Sequence, residues 1–467
     1  MSYFLSLLHE GVNKLDRGIM SLGSSLTNNS NVVEKSGLFE SAPDILNSKN
    51  DGMSPNGLQY LPASTANAIV VGGSSVGKTT HITFMTLFRK QHSFVVLDPS
   101  QEIYLAMAGF LKKSDYKVEL INWSNCEISS GYNGLALAKN SSDIHDQATQ
   151  LAMSTLGSGS GDKFWLYQSI AMLAFFGEVL FYNDHKFLSW SNVLNCIEIF
   201  SSQPEAIHRI VAQTNMPHLH QKYKTYLRID DKLKMNIISS TLSCLTVWND
   251  ISIRRITSFN QLDFSKLRQE KTVLFLQSDV LQSARYSILN SMLIKDIITS
   301  LMSSLPDEKT DKFRVLFLLD EFASLYINDF DVIISNIRKY NASIILLVQN
   351  ISQIYNRYGE HAAKIILSNC MAKVYFHSQS DLATLRELQD QLEQYVQDGD
   401  DRITRKTLSF TSIRTIDKDK GLLFYSNYPP VLMEMRPAYM QPIVANQIYK
   451  HIPPRANTLP TEIPLIV

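Results

Sequence analysis

Short apolar runs alternate with stretches of helical periodicity from Ala63 onwards. Runs of three to seven mostly apolar, often β-branched residues that end at polar or glycine residues are typical of buried β-strands. The predicted strands are Ile69–Val71, Ser93–Leu97, Lys117–Ile121, Thr272–Gln277, Phe313–Leu319 and Ala342–Val348. Helices are predicted between them, for example at Ile103–Lys112 and Arg285–Ser303. This alternation predicts an α/β fold with a mostly parallel central sheet and helices on both faces.

The pattern changes between residues 141 and 250, where strand signals are nearly absent and helical stretches follow one another. The predicted helices are Ile144–Leu156, Phe164–Phe181, Trp190–Phe200, Gln203–Gln213 and Lys232–Trp248. A run of glycine and serine at 157–161 predicts a mobile loop between the first two helices. We therefore predict an all-α domain at 141–250, inserted into an α/β domain that consists of 63–140 and 251–467.

The first 62 residues differ from both regions. Residues 1–22 place seven apolar side chains on one stripe of a predicted helix, namely Phe4, Leu5, Leu8, Val12, Leu15, Ile19 and Leu22. Such a stripe docks on a partner, lies on a membrane surface or packs on its own domain. Residues 23–62 are rich in Ser, Asn and Gly, so we predict a flexible linker that becomes ordered only near the first strand.

Composition narrows the class of protein without identifying it. The chain has 467 residues with 44 basic and 44 acidic side chains, so a polynucleotide site would have to be a local basic strip. The four cysteines are far apart, which predicts reduced thiols in a cytosolic protein and no zinc site. No apolar run reaches the length of about 18 residues that suggests a membrane span. The nearest approach, Ser169–Tyr182, contains Glu178 and is predicted to be a buried helix.

One local basic strip occurs late in the chain. It consists of Arg402, Arg405, Lys406, Arg414, Lys418 and Lys420, with Phe410 among them. Such a strip could line a nucleic-acid channel, because phosphate contacts require positive charge more than base recognition. A solvated hairpin between late strands explains it equally well, and the acidic run Gln397–Asp401 beside it argues against a simple basic groove.

The strongest chemical signal follows the first predicted strand. The residues are Gly72, Gly73, Ser74, Ser75, Val76, Gly77, Lys78, Thr79 and Thr80, a Gly-x4-Gly-Lys-Thr loop followed by apolar residues at helical spacing. This is the strand–loop–helix context of a phosphate-binding loop, in which backbone N–H groups surround the β-phosphate. Lys78 is predicted to reach the β- and γ-phosphates, and Thr79 to coordinate Mg²⁺. We predict that these nine residues bind a nucleoside triphosphate.

Two carboxylates follow the apolar strand Phe313–Leu319. A buried strand that ends in Asp320 and Glu321 has the Walker B arrangement, and ligands bind at the carboxyl ends of parallel strands. Asp320 is predicted to support Mg²⁺, and Glu321 to orient or deprotonate the attacking water, which indicates a hydrolase more than a nucleotide kinase. The alternative is an Asp-Glu pair that caps the next helix. The phosphate-binding loop earlier in the chain favours the catalytic interpretation.

Two further polar residues are candidates for the same site. Gln349 follows the strand Ala342–Val348 and is predicted to sense the γ-phosphate or hold the water, although glutamine also caps helices. Arg338 lies between the two strands and is our candidate for an arginine supplied in trans by a neighbouring subunit of a ring. The alternative for Arg338 is a solvated residue at a helix end. Arg357 and Arg386 are lesser candidates for the trans arginine.

Together these landmarks resemble the coupling proteins of type IV secretion, the TraG/TraD family of conjugative DNA-transfer ATPases. The resemblance covers about residues 66–440. Besides the two nucleotide motifs it rests on Asp98-Pro99-Ser100-Gln101-Glu102, Tyr132-Asn133-Gly134-Leu135, Asp162-Lys163-Phe164-Trp165, Arg338-Lys339-Tyr340, Leu347-Val348-Gln349-Asn350, Tyr358-Gly359, Gly421-Leu422-Leu423 and Tyr428-Pro429-Pro430. The resemblance rests on the whole set of motifs in this order along the chain.

The resemblance implies a RecA-like P-loop ATPase that uses ATP and Mg²⁺. It also implies a homo-hexamer with DNA, expected to be single-stranded, in a central channel. The cargo would be a relaxase–DNA complex or protein substrates, recruited by the helical domain. The partners would be type IV channel proteins at the cytoplasmic face of the bacterial inner membrane.

Three departures from the family pattern matter. The family usually carries N-terminal membrane helices, and since we expect none here, docking would rely on residues 1–22 or on a membrane subunit. Ser100-Gln101 stand where the family often has Lys-Gly, and Gly134 stands where it has proline. Two rival functions stay open: a soluble DNA translocase or helicase of the same superfamily, and a nucleotide-gated adaptor that recruits substrates and hydrolyses little.

Overall fold

The structure is a computed structural model that describes residues 45–157, 163–393, 414, 416–450 and 459–466. Its strands are β1 Ala68–Val71, β2 Ser93–Asp98, β3 Lys117–Asn122, β4 Thr272–Gln277, β5 Val315–Leu319, β6 Ala342–Val348, β7 Ala372–Phe376, β8 Lys420–Tyr425 and β9 Val431–Glu434. They form one nine-stranded sheet in the order β3-β4-β2-β5-β6-β1-β7-β8-β9. Strands β1 to β7 run parallel, and β8 and β9 extend the sheet antiparallel. The prediction of a mostly parallel α/β sheet is confirmed.

The α-helices connect these strands and cover both faces of the sheet. They are α1 Phe84–Phe88, α2 Glu102–Lys113, α3 Ser141–Leu156, α4 Lys163–Phe181, α5 Trp190–Ser202, α6 Pro204–Gln213, α7 Pro217–Arg228, α8 Asp231–Cys244, α9 Ile251–Ile256, α10 Ser283–Met302, α11 Phe330–Asn336, α12 Ser352–Ser368, α13 Leu382–Glu393 and α14 Pro442–Ala445. The six predicted strands all occur, with ends that differ by at most two residues.

Two hydrophobic cores lie on opposite faces of the sheet, because successive strand residues point to opposite sides. Ile69 and Val71 of β1 belong to the core that also contains the buried side chains of α3 to α10. Ala68 and Val70 belong to the other core, together with α1 and α2. The helical region therefore shares one continuous core with a face of the sheet.

Helices α3 to α9 all lie between β3 and β4, at the place where the all-α insertion was predicted. Helix α4 is its most apolar member, with Phe175 and Phe176 fully buried. Among the described residues α4 alone is long and apolar enough to cross a membrane, and 61% of its most apolar window is buried inside the protein. This burial, together with its packing against α3 and α8, makes α4 the central core helix of the region.

Residues 45–62 correct one prediction. We expected them to form part of a flexible linker, but Ile45, Leu46, Met53 and Leu61 are buried in the core that covers α1. Asn47 and Tyr60 also pair with each other through backbone hydrogen bonds of 3.2 and 3.1 Å. Four apolar side chains spread along a polar segment have no sequence periodicity, so only tertiary packing reveals their burial.

Several predictions concern parts of the chain that the structure does not describe. The helical stripe at 1–22, the loop at 158–161 and the acidic run 397–401 all lie outside the described residues. The same holds for Arg402, Arg405 and Lys406 of the basic strip, whereas its later members Arg414 and Lys418 are described and exposed.

Candidate nucleotide-binding site

The phosphate-binding loop connects β1 to a π-helical turn at Thr79–Thr83, which continues into α1. Gly77 has a φ of +88°, and a side chain there would also meet the His81 ring at 2.7 Å. At Gly72 a Cβ atom would lie 2.8 Å from Val76. Both positions therefore require glycine, whereas Gly73 is open and Ser74 and Ser75 are exposed at the tip of the loop.

Lys78 is folded back over this loop. Its ammonium group donates hydrogen bonds to the carbonyl oxygens of Gly72 at 2.6 Å and Gly73 at 3.1 Å. Burial lowers the pKa of Lys78, and the nearby Asp320 and Glu321 carboxylates oppose this shift. The Lys78 ammonium group therefore lies inside the phosphate-binding loop, as the sequence predicts, and close to two carboxylates.

Thr79 brings the two predicted motifs together. Its hydroxyl donates a 2.8 Å hydrogen bond to the Asp320 carboxylate, although the two residues are 241 positions apart in the chain. Burial raises the pKa of Asp320, while the Thr79 hydrogen bond and the Lys78 charge lower it. A hydroxyl and a carboxylate in contact supply oxygen ligands of the kind that Mg²⁺ prefers. The residues present therefore fit the predicted metal.

Glu321 and Gln349 meet next to this pair. The Gln349 side-chain amide donates to both Glu321 carboxylate oxygens, each at 3.2 Å. They meet because β5 and β6 are adjacent parallel strands whose carboxyl ends lie at the same edge as that of β1. The structure therefore brings together Lys78, Thr79, Asp320, Glu321 and Gln349. Thr80 caps its own loop by donating to the Gly77 carbonyl at 3.0 Å.

Arg338 is the predicted site residue that the fold does not bring to this edge. It is exposed in a short 3₁₀ turn, Ile337–Tyr340, immediately before β6. Lys78 follows the carboxyl end of β1, so a whole strand length, roughly 20 Å, separates the two edges. Arg338 therefore cannot serve the site of its own chain. This position is compatible with a role in trans, which stays a prediction.

Asp98 is a buried carboxylate whose role in the site we did not predict from the residues. It ends β2 beside β5 and accepts hydrogen bonds from the backbone N–H groups of Ile103 at 3.2 Å and Tyr104 at 2.8 Å. Burial raises its pKa to about 6, against the opposing effect of these bonds. Asp98 thereby fixes the start of α2 next to the Asp320 carboxylate. The Asp-Pro pair at a strand end was the available signal.

A glycine-rich loop after β1, paired carboxylates after β5 and a polar residue after the adjacent β6 define a P-loop NTPase of the RecA-like class. The family can also be stated. Residues 24–420 match the family described as type IV secretory system conjugative DNA transfer, and the chain belongs to that family.

Individual members of this family share only about a quarter of their residues with this chain over the matched regions. The chain is 23% identical to the type IV secretion system-coupling protein VirD4 of Bartonella henselae over 350 residues, which cover 72% of this chain and 54% of that protein. It is 26% identical to VirD4 of Rhizobium rhizogenes over 207 residues, 41% of this chain and 31% of that protein. The chain thus spans about half the length, or less, of these curated relatives.

A solved structure shares the fold. The plasmid coupling protein TrwB in complex with ADP and Mg²⁺ superposes with a TM-score of 0.65 at 15% identity, covering 83% of this chain and 89% of TrwB. At this identity the likeness concerns the fold alone. It confirms the predicted RecA-like architecture with extra helices.

Proposed function

We propose that this chain is the ATP-hydrolysing motor of a type IV secretion or conjugation system. The observation that carries the proposal is the 2.8 Å contact between the P-loop hydroxyl of Thr79 and the Asp320 carboxylate, with the Lys78 ammonium group beside it. A nucleotide-binding loop and a Walker B carboxylate that meet across the sheet form a metal–phosphate site. The relative TrwB, whose structure contains ADP and Mg²⁺, supports this choice of ligands.

Each side chain has a distinct role in this proposal. Thr79 and Asp320 would hold Mg²⁺, which neutralises phosphate charge when it is bound. Lys78 would exchange its two loop carbonyls for phosphate oxygens. Glu321 would accept a proton from the attacking water, while Gln349 keeps the Glu321 carboxylate oriented and senses the γ-phosphate.

The wider function follows from the family. We propose a homo-hexamer in which Arg338 of one subunit completes the site of its neighbour, with single-stranded DNA in the central channel. The helical domain at 141–250 would recruit a relaxase–DNA complex or protein substrates. The ring would meet type IV channel proteins at the cytoplasmic face of the bacterial inner membrane, with the membrane contacted peripherally or through a partner subunit.

Nucleotide hydrolysis with and without DNA tests this proposal. We expect purified protein, at concentrations that permit assembly, to hydrolyse ATP faster with single-stranded DNA than without, and Glu321→Gln to lose hydrolysis while it retains ATP binding. The Lys364→Ala variant, which removes an exposed cation of α12, is the matched control. If the wild type binds ATP but hydrolyses none with single-stranded or double-stranded DNA, the motor proposal is overturned in favour of the nucleotide-gated adaptor.

Mixing two inactive variants tests the trans arginine. In a ring of Lys78→Ala and Arg338→Ala subunits, some sites combine an intact P-loop with a neighbour's intact arginine. Mixed rings should therefore regain part of the activity that each variant lacks alone. If equimolar mixtures stay as inactive as the separate proteins, Arg338 does not act in trans.

A further inference from the structure

The backbone of Glu321 is in an unfavourable conformation. Its φ and ψ are 59° and 44°, in the left-handed region, and its side chain caps no helix. A non-glycine residue in this region costs roughly 1–2 kcal/mol, so the surrounding structure must hold it there. The segment from Glu321 to Ile327, which we call the Walker B loop, follows directly from β5. The contacts that hold this loop therefore decide where the Glu321 carboxylate lies.

One helical segment contacts the far end of the Walker B loop directly and the Glu321 end through Gln349, which lies between β6 and this segment. Residues Ser352–Tyr358, the first half of α12, form this bracing segment. Before this segment the Gln349 amide donates to Glu321, and within it the Gln353 side chain accepts a 3.1 Å hydrogen bond from the Gln349 backbone N–H. The residue that orients Glu321 is thus itself oriented by the bracing segment.

Arg357 contacts the other end of the loop. Its guanidinium donates to the backbone carbonyls of Leu325 at 3.0 Å and Ser324 at 3.2 Å, and it lies 5.7 Å from the centre of the Tyr326 ring. Two hydrogen bonds and a cation–π contact in the same chain occupy this side chain. Arg357 is therefore poorly placed to be the trans arginine, a role for which it was a lesser candidate.

Tyr358 strengthens the same contact. Its ring stacks on Phe322 with centroids 5.5 Å apart and planes within 5°. Its hydroxyl donates to the Leu325 carbonyl and accepts from the Ile327 N–H, both at 3.3 Å. Immediately afterwards the helix is interrupted at Gly359, whose φ of 79° and ψ of 166° are accessible essentially to glycine alone. The bracing segment consequently ends at the residue that completes the contact.

We propose that Arg357 is a positioning residue, which holds the Walker B loop so that Glu321 faces the nucleotide. The expected effect on turnover rests on the proposed hydrolytic function, whereas the contact between Arg357 and the Walker B loop does not. Arg357 does not touch the nucleotide site; it acts through Ser324 and Leu325, three and four residues after Glu321. Its loss should therefore impair the turnover step and leave nucleotide binding to Lys78 and Thr79.

Steady-state hydrolysis tests the functional part. In Arg357→Ala, kcat should fall about 10²-fold, the scale expected when a catalytic group is misplaced by about 1 Å, while KM and nucleotide Kd stay within about twofold. Arg357→Lys, which can reach one carbonyl but not two, should recover part of kcat. Lys364→Ala, on the second half of α12, should behave as wild type. A kcat for Arg357→Ala within twofold of wild type, or an equal loss of nucleotide affinity, overturns the proposal.

Two further measurements distinguish a failure of the positioning role from a failure of the proposed hydrolytic function. Mixed rings of Arg357→Ala and Lys78→Ala should regain no activity, because a positioning role is confined to its own chain; recovery would assign Arg357 a trans role instead. Amide hydrogen exchange should accelerate at residues 322–327 in Arg357→Ala and stay unchanged at 72–80. If exchange changes in this way while the wild type hydrolyses no nucleotide, the proposed function fails and the positioning contact stands. Unchanged exchange overturns the contact itself.

Discussion

The helical region and the nucleotide edge of the sheet begin their helices in different ways. In the helical region a side chain at the helix start accepts a backbone N–H, at Asn140, Ser189, Asp230 and Asp250 for α3, α5, α8 and α9. Helices α6 and α7 begin instead with proline. The P-loop turn, α2 and α12, which follow strands of the sheet, have no cap from the residue directly before the helix. At α2 and α12 the first-turn N–H groups bond instead to the more distant side chains of Asp98 and Asn350.

The backbone shows the same contrast. At the nucleotide edge Ser75, Gln101 and Glu321 are non-glycine residues with positive φ, whereas between 141 and 256 the described residues contain only one, Asn215. Uncapped N–H groups at the start of the P-loop turn attract anions, and strained residues are held in place by their surroundings. The comparison teaches that local sequence preferences stabilise the helical region, while at the sheet edge contacts between distant elements hold backbone conformations that the local sequence does not favour.

The largest expected effect is that of Lys78→Ala, which should impair the nucleotide edge without destabilising the fold. We expect hydrolysis to fall roughly 10²–10³-fold, since a preorganised charge aimed at the transferred phosphate is lost. The melting temperature should stay within about 2 °C of wild type, because Lys78 is buried with a lowered pKa and contributes little to the fold. Hydrolysis assays and thermal melts check this. Full nucleotide affinity in the variant would contradict the site itself.

A smaller effect is expected in α10, which packs against α3 of the helical region. Asp296 of α10 accepts a 2.6 Å hydrogen bond from Tyr132, and burial raises its pKa to about 7. A carboxyl whose pKa is raised in the folded state does not change the stability of the protein below about pH 4. As the pH rises from 4 through 7, the carboxyl ionises more readily in the unfolded state, so the free energy of unfolding falls. Because Asp296 is half-buried rather than fully enclosed, the wild type should lose about 2 kcal/mol of unfolding free energy between pH 4.5 and 8 relative to Asp296→Asn. Urea unfolding at both pH values measures the difference. The exposed Glu308→Gln variant should show no such change, and parallel curves for wild type and Asp296→Asn would refute the assignment.

The smallest effect concerns a helix cap. Ser189 accepts the Asn192 N–H at 3.3 Å at the start of α5. Ser189→Ala should cost about 1 kcal/mol of unfolding free energy and leave hydrolysis within twofold, the reverse of Lys78→Ala. Ser189→Thr, which retains the acceptor, is the control. Denaturant unfolding and a hydrolysis assay measure the two quantities. If Ser189→Ala had wild-type stability but impaired hydrolysis, the contrast between the two regions would be wrong.

The strands were predictable because each is a nearly unbroken apolar run. The predictions stopped one residue early at Asp98 and Asn122, which are polar yet buried because both bond to Gln277 across neighbouring strands. Helix α7 was not among the predicted helices, although its buried residues Leu219, Tyr223 and Tyr226 recur at helical spacing, because most of its other nine residues are polar. Side chains that bond only to their strand neighbours leave little periodic signal.

The candidate site divides in the same way. The phosphate-binding loop and the carboxylates after β5 carry contiguous motifs, so the sequence alone predicts their chemistry. The role of Arg357 could not be predicted, because it depends on backbone carbonyls 32 and 33 residues earlier. A contact between a side chain and a distant backbone requires no particular residue at the receiving end. Such contacts emerge only from the three-dimensional fold.

The helical region leaves the sheet after β3 and returns at β4, and these strands are neighbours. A domain held by a single flexible connection can swing about it, but one anchored at two adjacent points and joined through a common hydrophobic interior cannot. If the helices bind cargo as proposed, that cargo would therefore keep a set orientation towards the proposed nucleotide site of the same subunit. In the proposed hexamer, six such subunits would present their cargo surfaces at regular angular intervals.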